Sequence, residues 1–149
     1  MKTACTVLRI LVRLIWLILL VLGAVLWTGR DQSLIAAHEF LGVAFVLVLW
    51  ALAYLGVRCG VRRIYAGSMS VRDWRPSLVV LLSAVAPGLV GTVFFWGLVL
   101  LVFGMTQTRI LTGSSHWIIQ VLHLLAGVVA IGFAEALGAR IKRRLAGLV

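Results

Sequence analysis

The segment 77–104 reads SLVVLLSAVAPGLVGTVFFWGLVLLVFG and contains no charged residue. A helix needs about 20 apolar residues to cross a hydrocarbon core about 30 Å thick, so this run predicts a membrane-spanning helix. Three further apolar runs of similar length occupy 8–27, 34–57 and 116–137. We therefore predict an all-α, four-helix transmembrane bundle that forms a single domain over residues 1–149.

The third apolar run contains a proline, and the first follows a basic start. Pro87 removes one backbone hydrogen bond, so we expect the third helix to bend there. A basic start before an apolar run also occurs in cleaved signal peptides. The run 8–27, however, ends in Val25-Leu26-Trp27 without a small-x-small cleavage site, which favours a retained helix.

The basic residues mark the ends of the apolar runs. Twelve of the 14 Lys and Arg residues fall within 2–13, 58–75 and 140–144, and the other two are Arg30 and Arg109. A charged side chain costs about 2.5–3.5 kcal/mol at the centre of a spanning helix, and basic loops stay preferentially in the cytoplasm. This alternation predicts cytoplasmic N and C termini, with Arg30 and Arg109 on the outer side.

The net charge of +10 does not indicate nucleic-acid binding, because the charge lies beside the apolar runs. It indicates attraction to anionic lipid headgroups at the cytoplasmic face. Cys5 and Cys59 lack the paired spacing of a zinc or redox site. The sequence also lacks a Ser/His/Asp arrangement and a phosphate-binding glycine loop, so it does not favour hydrolysis or group transfer.

The fourth apolar run carries small residues at every fourth position. Such a stripe lets two helix backbones approach closely inside a membrane. The partner of the stripe is left open: another helix of this chain, a second copy in a homodimer, or a larger membrane protein. Its members are Ala126, Ala130, Ala134 and Gly138.

Two histidines are each followed four residues later by glycine, His38 by Gly42 and His123 by Gly127. Residues four apart share a helical face, so each glycine clears space beside an imidazole for a flat macrocycle. His38 lies about 6 Å, and His123 about 9 Å, below the outer end of its apolar run. The two imidazoles therefore lie at similar depth. They are candidate axial ligands of one haem iron, or alternatively hydrogen-bonding groups between helices.

His116 precedes His123 by two helical turns, or about 10 Å, which is too far for both to bind one metal ion directly. It is a candidate to hydrogen-bond a haem propionate, carry protons or contact a quinone headgroup. Alternatively, it is a polar interfacial residue beside Trp117. Of the acids within helices, we expect Glu39 to be solvated or to pair with Arg30 or Arg109. We expect Glu135 to pair with the basic tail at 140–144 or with the arginine-rich loop at 58–75.

The two His-x3-Gly segments, on the second and fourth helices, resemble the b-type cytochromes of the prokaryotic cytochrome b561 and hydrogenase-cytochrome group. This resemblance implies that His38 and His123 bind haem b axially. The first helix has no histidine, unlike that group, so it implies one haem at most. The segments Leu26–Gly29 and His116–His123 are also similar to small four-helix bacterial membrane proteins of unassigned function. That similarity implies the inner membrane as the location.

Three functions are compatible with these features. The first is electron transfer through a single haem b between a quinone and an outer-face partner. The second is a non-catalytic packing or assembly role, in which the Ala/Gly stripe docks a membrane partner. The third is a minimal dimeric transporter, which the lack of a mid-membrane charge disfavours.

Overall fold

The computed structural model describes residues 1–29, 31–66, 88–111 and 113–147. All regular structure in these ranges is helical, which confirms the all-α prediction for this part of the chain. Short 3-10 helices at Gln32–Leu34 and Gln107–Arg109 border two of the long helices. The four long helices are α1 (Lys2–Trp27), α2 (Ile35–Ala66), α3 (Leu89–Thr106) and α4 (His116–Leu145).

Three of the helices continue beyond their apolar runs. α1 begins at Lys2 rather than near residue 8, α2 reaches Ala66 rather than 57, and α4 reaches Leu145 rather than 137. Hydropathy detects only the part of a helix that is apolar, whereas Arg and Lys at the ends are good helix formers. The 32 residues of α2 span about 48 Å, more than a hydrocarbon core about 30 Å thick.

The third helix begins later than the sequence predicts. Gly88 has an extended backbone, with φ −127° and ψ 171°, and α3 begins at the next residue, Leu89. The prediction of a continuous helix over 77–104 is therefore wrong at Gly88, because the backbone there is extended rather than helical. The bend expected at Pro87, and the segment 77–87 as a whole, lie outside the described residues.

The helices pack antiparallel in chain order. The Cys5 Sγ atom lies 3.8 Å from the Gly138 carbonyl oxygen, which places the start of α1 beside the end of α4. α1 and α3 each pack on both α2 and α4, and α2 and α4 also contact each other across the diagonal of the bundle. The contact between α2 and α4 therefore lies at the centre. Among the largest fully buried side chains of the described structure are Leu49 and Leu52 on α2 and Leu137 and Ile141 on α4.

The exposed sides of the four helices are apolar. All four helices are long and apolar enough to cross a membrane. Large apolar side chains on this surface are well exposed, among them Val21, Phe40, Phe95 and Met105. A continuous apolar surface of this kind is unfavourable in water but not in lipid. The structure thus supports a multi-pass membrane protein.

The Ala/Gly stripe of α4 is covered by helices of the same chain. Ala130, Ala134 and Gly138 are buried, and Ala126 is partly buried against the core. The Trp96 indole on α3 donates a 2.9 Å hydrogen bond to the Ala126 carbonyl. In the structure, the stripe therefore packs against other helices of the same chain, which is the first of the three partners considered for it.

α2 and α3 approach each other closely at Gly97. The Trp50 indole lies across this glycine, where it stacks on Phe94 with ring centroids 5.0 Å apart and donates a 3.1 Å hydrogen bond to the Phe94 carbonyl. A Cβ atom on Gly97 would lie only 2.7 Å from Trp50 Nε1. Glycine is therefore required here by the rigid indole.

Gly97→Ala is expected to lower the thermal unfolding midpoint in detergent. Overpacking of a filled site typically costs about 1–3 kcal/mol, which exceeds the gain of about 1 kcal/mol in helix propensity. Gly132→Ala is the matched control, because a Cβ atom there meets nothing within 4 Å. The control should unfold at the wild-type midpoint or above it. Equal midpoints for both variants would contradict the close contact.

Candidate functional site

The candidate site is a pair of histidines that lies between the four helices, near one end of the bundle. His38 lies in the first turns of α2, and His123 lies two turns into α4. Their ring centroids are 6.4 Å apart, with an angle of 56° between the ring planes. The similar depths estimated from the sequence predict that the two histidines lie close together. The diagonal contact between α2 and α4 brings their helices together.

The other two helices approach the pair with glycine. A Cβ atom on Gly23 of α1 would lie 3.5 Å from His38 Cε1, and one on Gly104 of α3 would lie 3.4 Å from His123 Cε1. The Phe103 ring packs edge-on against His123 with centroids 5.7 Å apart. All four helices thus contribute to the site. Neither Gly23 nor Gly104 has a sequence spacing that would have revealed this position.

Gly42 and Gly127, which each follow a histidine by four residues, have different surroundings. A Cβ atom on Gly42 would meet no atom within 4 Å, so open space borders α2 one turn below His38. A Cβ atom on Gly127 would lie 3.7 Å from Trp16 Nε1 on α1. The space next to the imidazoles themselves is bordered by Gly23 and Gly104.

The Nδ1 atoms of His38 and His123 are both buried and have no hydrogen-bond partner in the described part of the chain. Leaving a buried polar atom without a partner costs about 1–3 kcal/mol. These two nitrogens are therefore available either to a metal ion or to a hydrogen-bonding group. A histidine that binds a metal through one nitrogen uses the other as a donor to a carbonyl, a carboxylate or water.

The spacing of the two histidines is compatible with one iron ion that both would hold. Two imidazole nitrogens on opposite sides of one metal ion, each at about 2 Å, lie about 4 Å apart, and the ring centres lie about 6 Å apart. The observed 6.4 Å agrees with that spacing. Gly23 and Gly104 bring the backbones of α1 and α3 close to the two rings, because neither glycine has a side chain. Within the described ranges, no group of three or more His, Cys, Asp or Glu residues is placed to hold a metal ion.

His116 is the first residue of α4, two helical turns before His123, and it lies apart from the pair. Its Nδ1 atom is 3.4 Å from the Ile110 carbonyl oxygen, in the turn between α3 and α4. Glu39 is exposed on α2. The expected partner Arg30 lies outside the described residues. Among the residues that the structure describes, no ion pair joins Glu39 to Arg109.

The second polar cluster lies at the opposite end of the bundle, around Glu135. The Arg9 Nη2 atom is 2.6 Å from one oxygen of this carboxylate. Arg13 donates to both oxygens, at 2.7 Å from Nε and 2.8 Å from Nη2. Within the described residues, Glu135 therefore pairs with Arg9 and Arg13 and not with the expected basic tail at 140–144. Apart from Arg58, the side chains of the arginine-rich loop at 58–75 lie outside the described residues. α1 packs on α4, so the arginines of the first helix reach Glu135 instead.

These two clusters differ in what they offer chemically. The Glu135 carboxylate is held by two guanidinium groups, whereas no ion pair reaches either imidazole within the described residues. The histidine pair is thus the place in the described structure where two side chains that can bind one metal ion lie next to each other. Comparisons of the chain with protein-family models, with curated proteins and with solved structures found no match.

Proposed function

We propose that this protein binds a single haem b between α2 and α4 and transfers electrons between a quinone and a partner at the outer face. The observation that carries the proposal is the spacing of the His38 and His123 rings, 6.4 Å between centroids. A haem with two histidine ligands supplies reversible one-electron chemistry when bound.

The chain's own residues have distinct tasks in this proposal. His38 and His123 would bind the iron, near one end of the bundle. Gly23 and Gly104 let α1 and α3 approach the rings closely, and Phe103 packs against His123 to exclude water. His116, at the same end of the bundle, would hydrogen-bond a propionate. A site close to one end of the bundle favours a redox partner at that surface.

The orientation belongs to the proposal as well. We place both termini in the cytoplasm, with the histidine pair near the outer face of a bacterial inner membrane. The end opposite the histidines carries the basic residues of α1 and the tail of α4, including Arg9, Arg13 and Lys142. Basic residues remain preferentially on the cytoplasmic side. Protease added to right-side-out spheroplasts should accordingly spare the C-terminal tail, and cleavage there would reverse the orientation.

A visible absorption spectrum tests the proposed function directly. The protein is purified in mild detergent from cells with sufficient haem. We expect a Soret band and, after reduction with dithionite, the α and β bands of a b-type haem. A pyridine haemochrome assay should give one haem per chain. A colourless, folded preparation would contradict the proposal.

The two alternative functions have less structural support. Docking of a larger partner or a second copy through the Ala/Gly stripe requires a free surface, but Ala130, Ala134 and Gly138 are buried by the chain itself. A transporter requires a titratable group that can change partners near the membrane centre. Glu135 lies toward one end and is held by two arginines.

A further inference from the structure

Positive charge exceeds negative charge along the seam between α1 and α4. Arg9 and Arg13 share the single carboxylate of Glu135, which leaves one positive charge without a counter-ion in the described structure. The stem of Arg9 lies directly on Gly138, where a Cβ atom would approach Arg9 Cγ and Nε to 2.8 Å. This glycine therefore lets the arginine cross the surface of α4.

Further basic residues extend the seam toward the helix ends. Lys142 follows Gly138 by four residues and so lies on the same face of α4, one turn further along. It is exposed, as is Lys2 at the start of α1. The side chain of Arg13 is 55% exposed, although its Nε and Nη2 atoms bind Glu135. The seam thus presents cationic groups to its surroundings.

An apolar row continues from this charge along α1. Leu17 and Val21 follow Arg13 at intervals of four residues and share its helical face. They are 50% and 63% exposed, so this face of α1 is turned away from the bundle. A ligand on the seam therefore meets cationic groups at one end and an apolar surface beside them. A phospholipid has this arrangement of headgroup and acyl chains.

We propose that the α1–α4 seam is a binding site for the phosphate headgroup of an anionic phospholipid. Arg13 and Lys142 are its main contacts, and Glu135 fixes Arg13 in place. Guanidinium groups bind phosphate through charge-assisted hydrogen bonds, and basic residues between helices at the cytoplasmic surface suit anionic headgroups. An uncompensated cation beside the hydrocarbon core is unfavourable, and a bound phosphate supplies its counter-ion. This inference does not depend on the haem.

Native mass spectrometry of the detergent-purified full chain tests the site. The wild type should retain phosphatidylglycerol more strongly than phosphatidylcholine. Lys142→Gln should weaken phosphatidylglycerol binding about fivefold, the effect of one basic residue near an anionic surface. Arg13→Gln should weaken it at least as much. Lys142 forms no ion pair with Glu135 in the described structure. If Arg13→Gln disturbs folding, the Lys142→Gln variant therefore still tests the site.

Arg140→Gln is the matched control. It removes the same charge from the same end of α4, but the exposed Arg140 is rotated by about 200° from Gly138 around the helix. Its phosphatidylglycerol binding should stay at the wild-type level. Equal losses for Arg140→Gln and Lys142→Gln would show general charge attraction and overturn the site. Equal retention of phosphatidylcholine, or full displacement of the lipid by inorganic phosphate, would overturn it too.

Discussion

His38→Ala is expected to abolish the haem spectrum of the purified protein, and His123→Ala is expected to do the same. The porphyrin of a b-type haem would have no covalent bond to the chain, so the two histidine nitrogens would provide its directional contacts. Loss of groups that only support a metal ligand costs about 10–100-fold in affinity, and loss of the ligand itself should cost more. The haem content should fall below about a tenth of the wild-type value. The Soret absorbance per protein, checked by pyridine haemochrome, measures it.

His116→Ala serves as the control for these two variants. His116 lies about 10 Å along α4 from His123, with its Nδ1 atom directed at the Ile110 carbonyl. This variant should keep the Soret band, although removal of a propionate contact is expected to shift its reduction potential. Thermal unfolding of the three variants separates lost haem from a lost fold. Full haem content in both His38→Ala and His123→Ala would refute the assigned ligands.

Glu135→Gln is expected to cause the second large effect, a loss of thermal stability. The substitution keeps the shape of the side chain but removes the negative charge that Arg9 and Arg13 share. The Arg9 side chain is only 23% exposed, and its Nε atom is buried without a partner in the described structure. Removing one partner of a desolvated ion pair leaves an uncompensated charge. The unfolding midpoint in detergent should fall by roughly 5 °C.

Glu39→Gln is the natural control for this prediction. It makes the same chemical change on an exposed helical residue at the opposite end of the bundle. Its unfolding midpoint should remain within about 1 °C of the wild type, because exposed charges contribute little to stability. If Glu135→Gln unfolds at the same temperature as Glu39→Gln, the arginine pair does not hold α1 on α4.

The two clusters can be tested independently because they lie at opposite ends of the bundle. Variants of His38 and His123 test haem binding, whereas variants of Arg13, Glu135 and Lys142 test stability and lipid binding. A colourless protein that still prefers phosphatidylglycerol would refute the haem alone. A protein that contains haem but does not discriminate between lipids would refute the lipid site alone.

The sequence was sufficient for properties that depend on one helix at a time. The length and hydropathy of a run determine whether a helix is long and apolar enough to span a membrane, so four such helices were predictable from composition. Depth along a helix follows from a rise of about 1.5 Å per residue, so the similar levels of His38 and His123 were predictable too. Helix ends were less predictable, because α2 and α4 continue as helices after their apolar residues end.

The tertiary structure decided which faces meet. The rotation of each helix about its axis, and the choice of its neighbours, depend on packing between segments far apart in sequence. Packing of α1 on α4 gave Glu135 the partners Arg9 and Arg13, although the basic tail is closer to it along the chain. The same packing of four helices placed Gly23 and Gly104, rather than Gly42 and Gly127, beside the imidazoles. Spacing within one helix fixes depth and face, but only the assembled bundle determines what that face contacts.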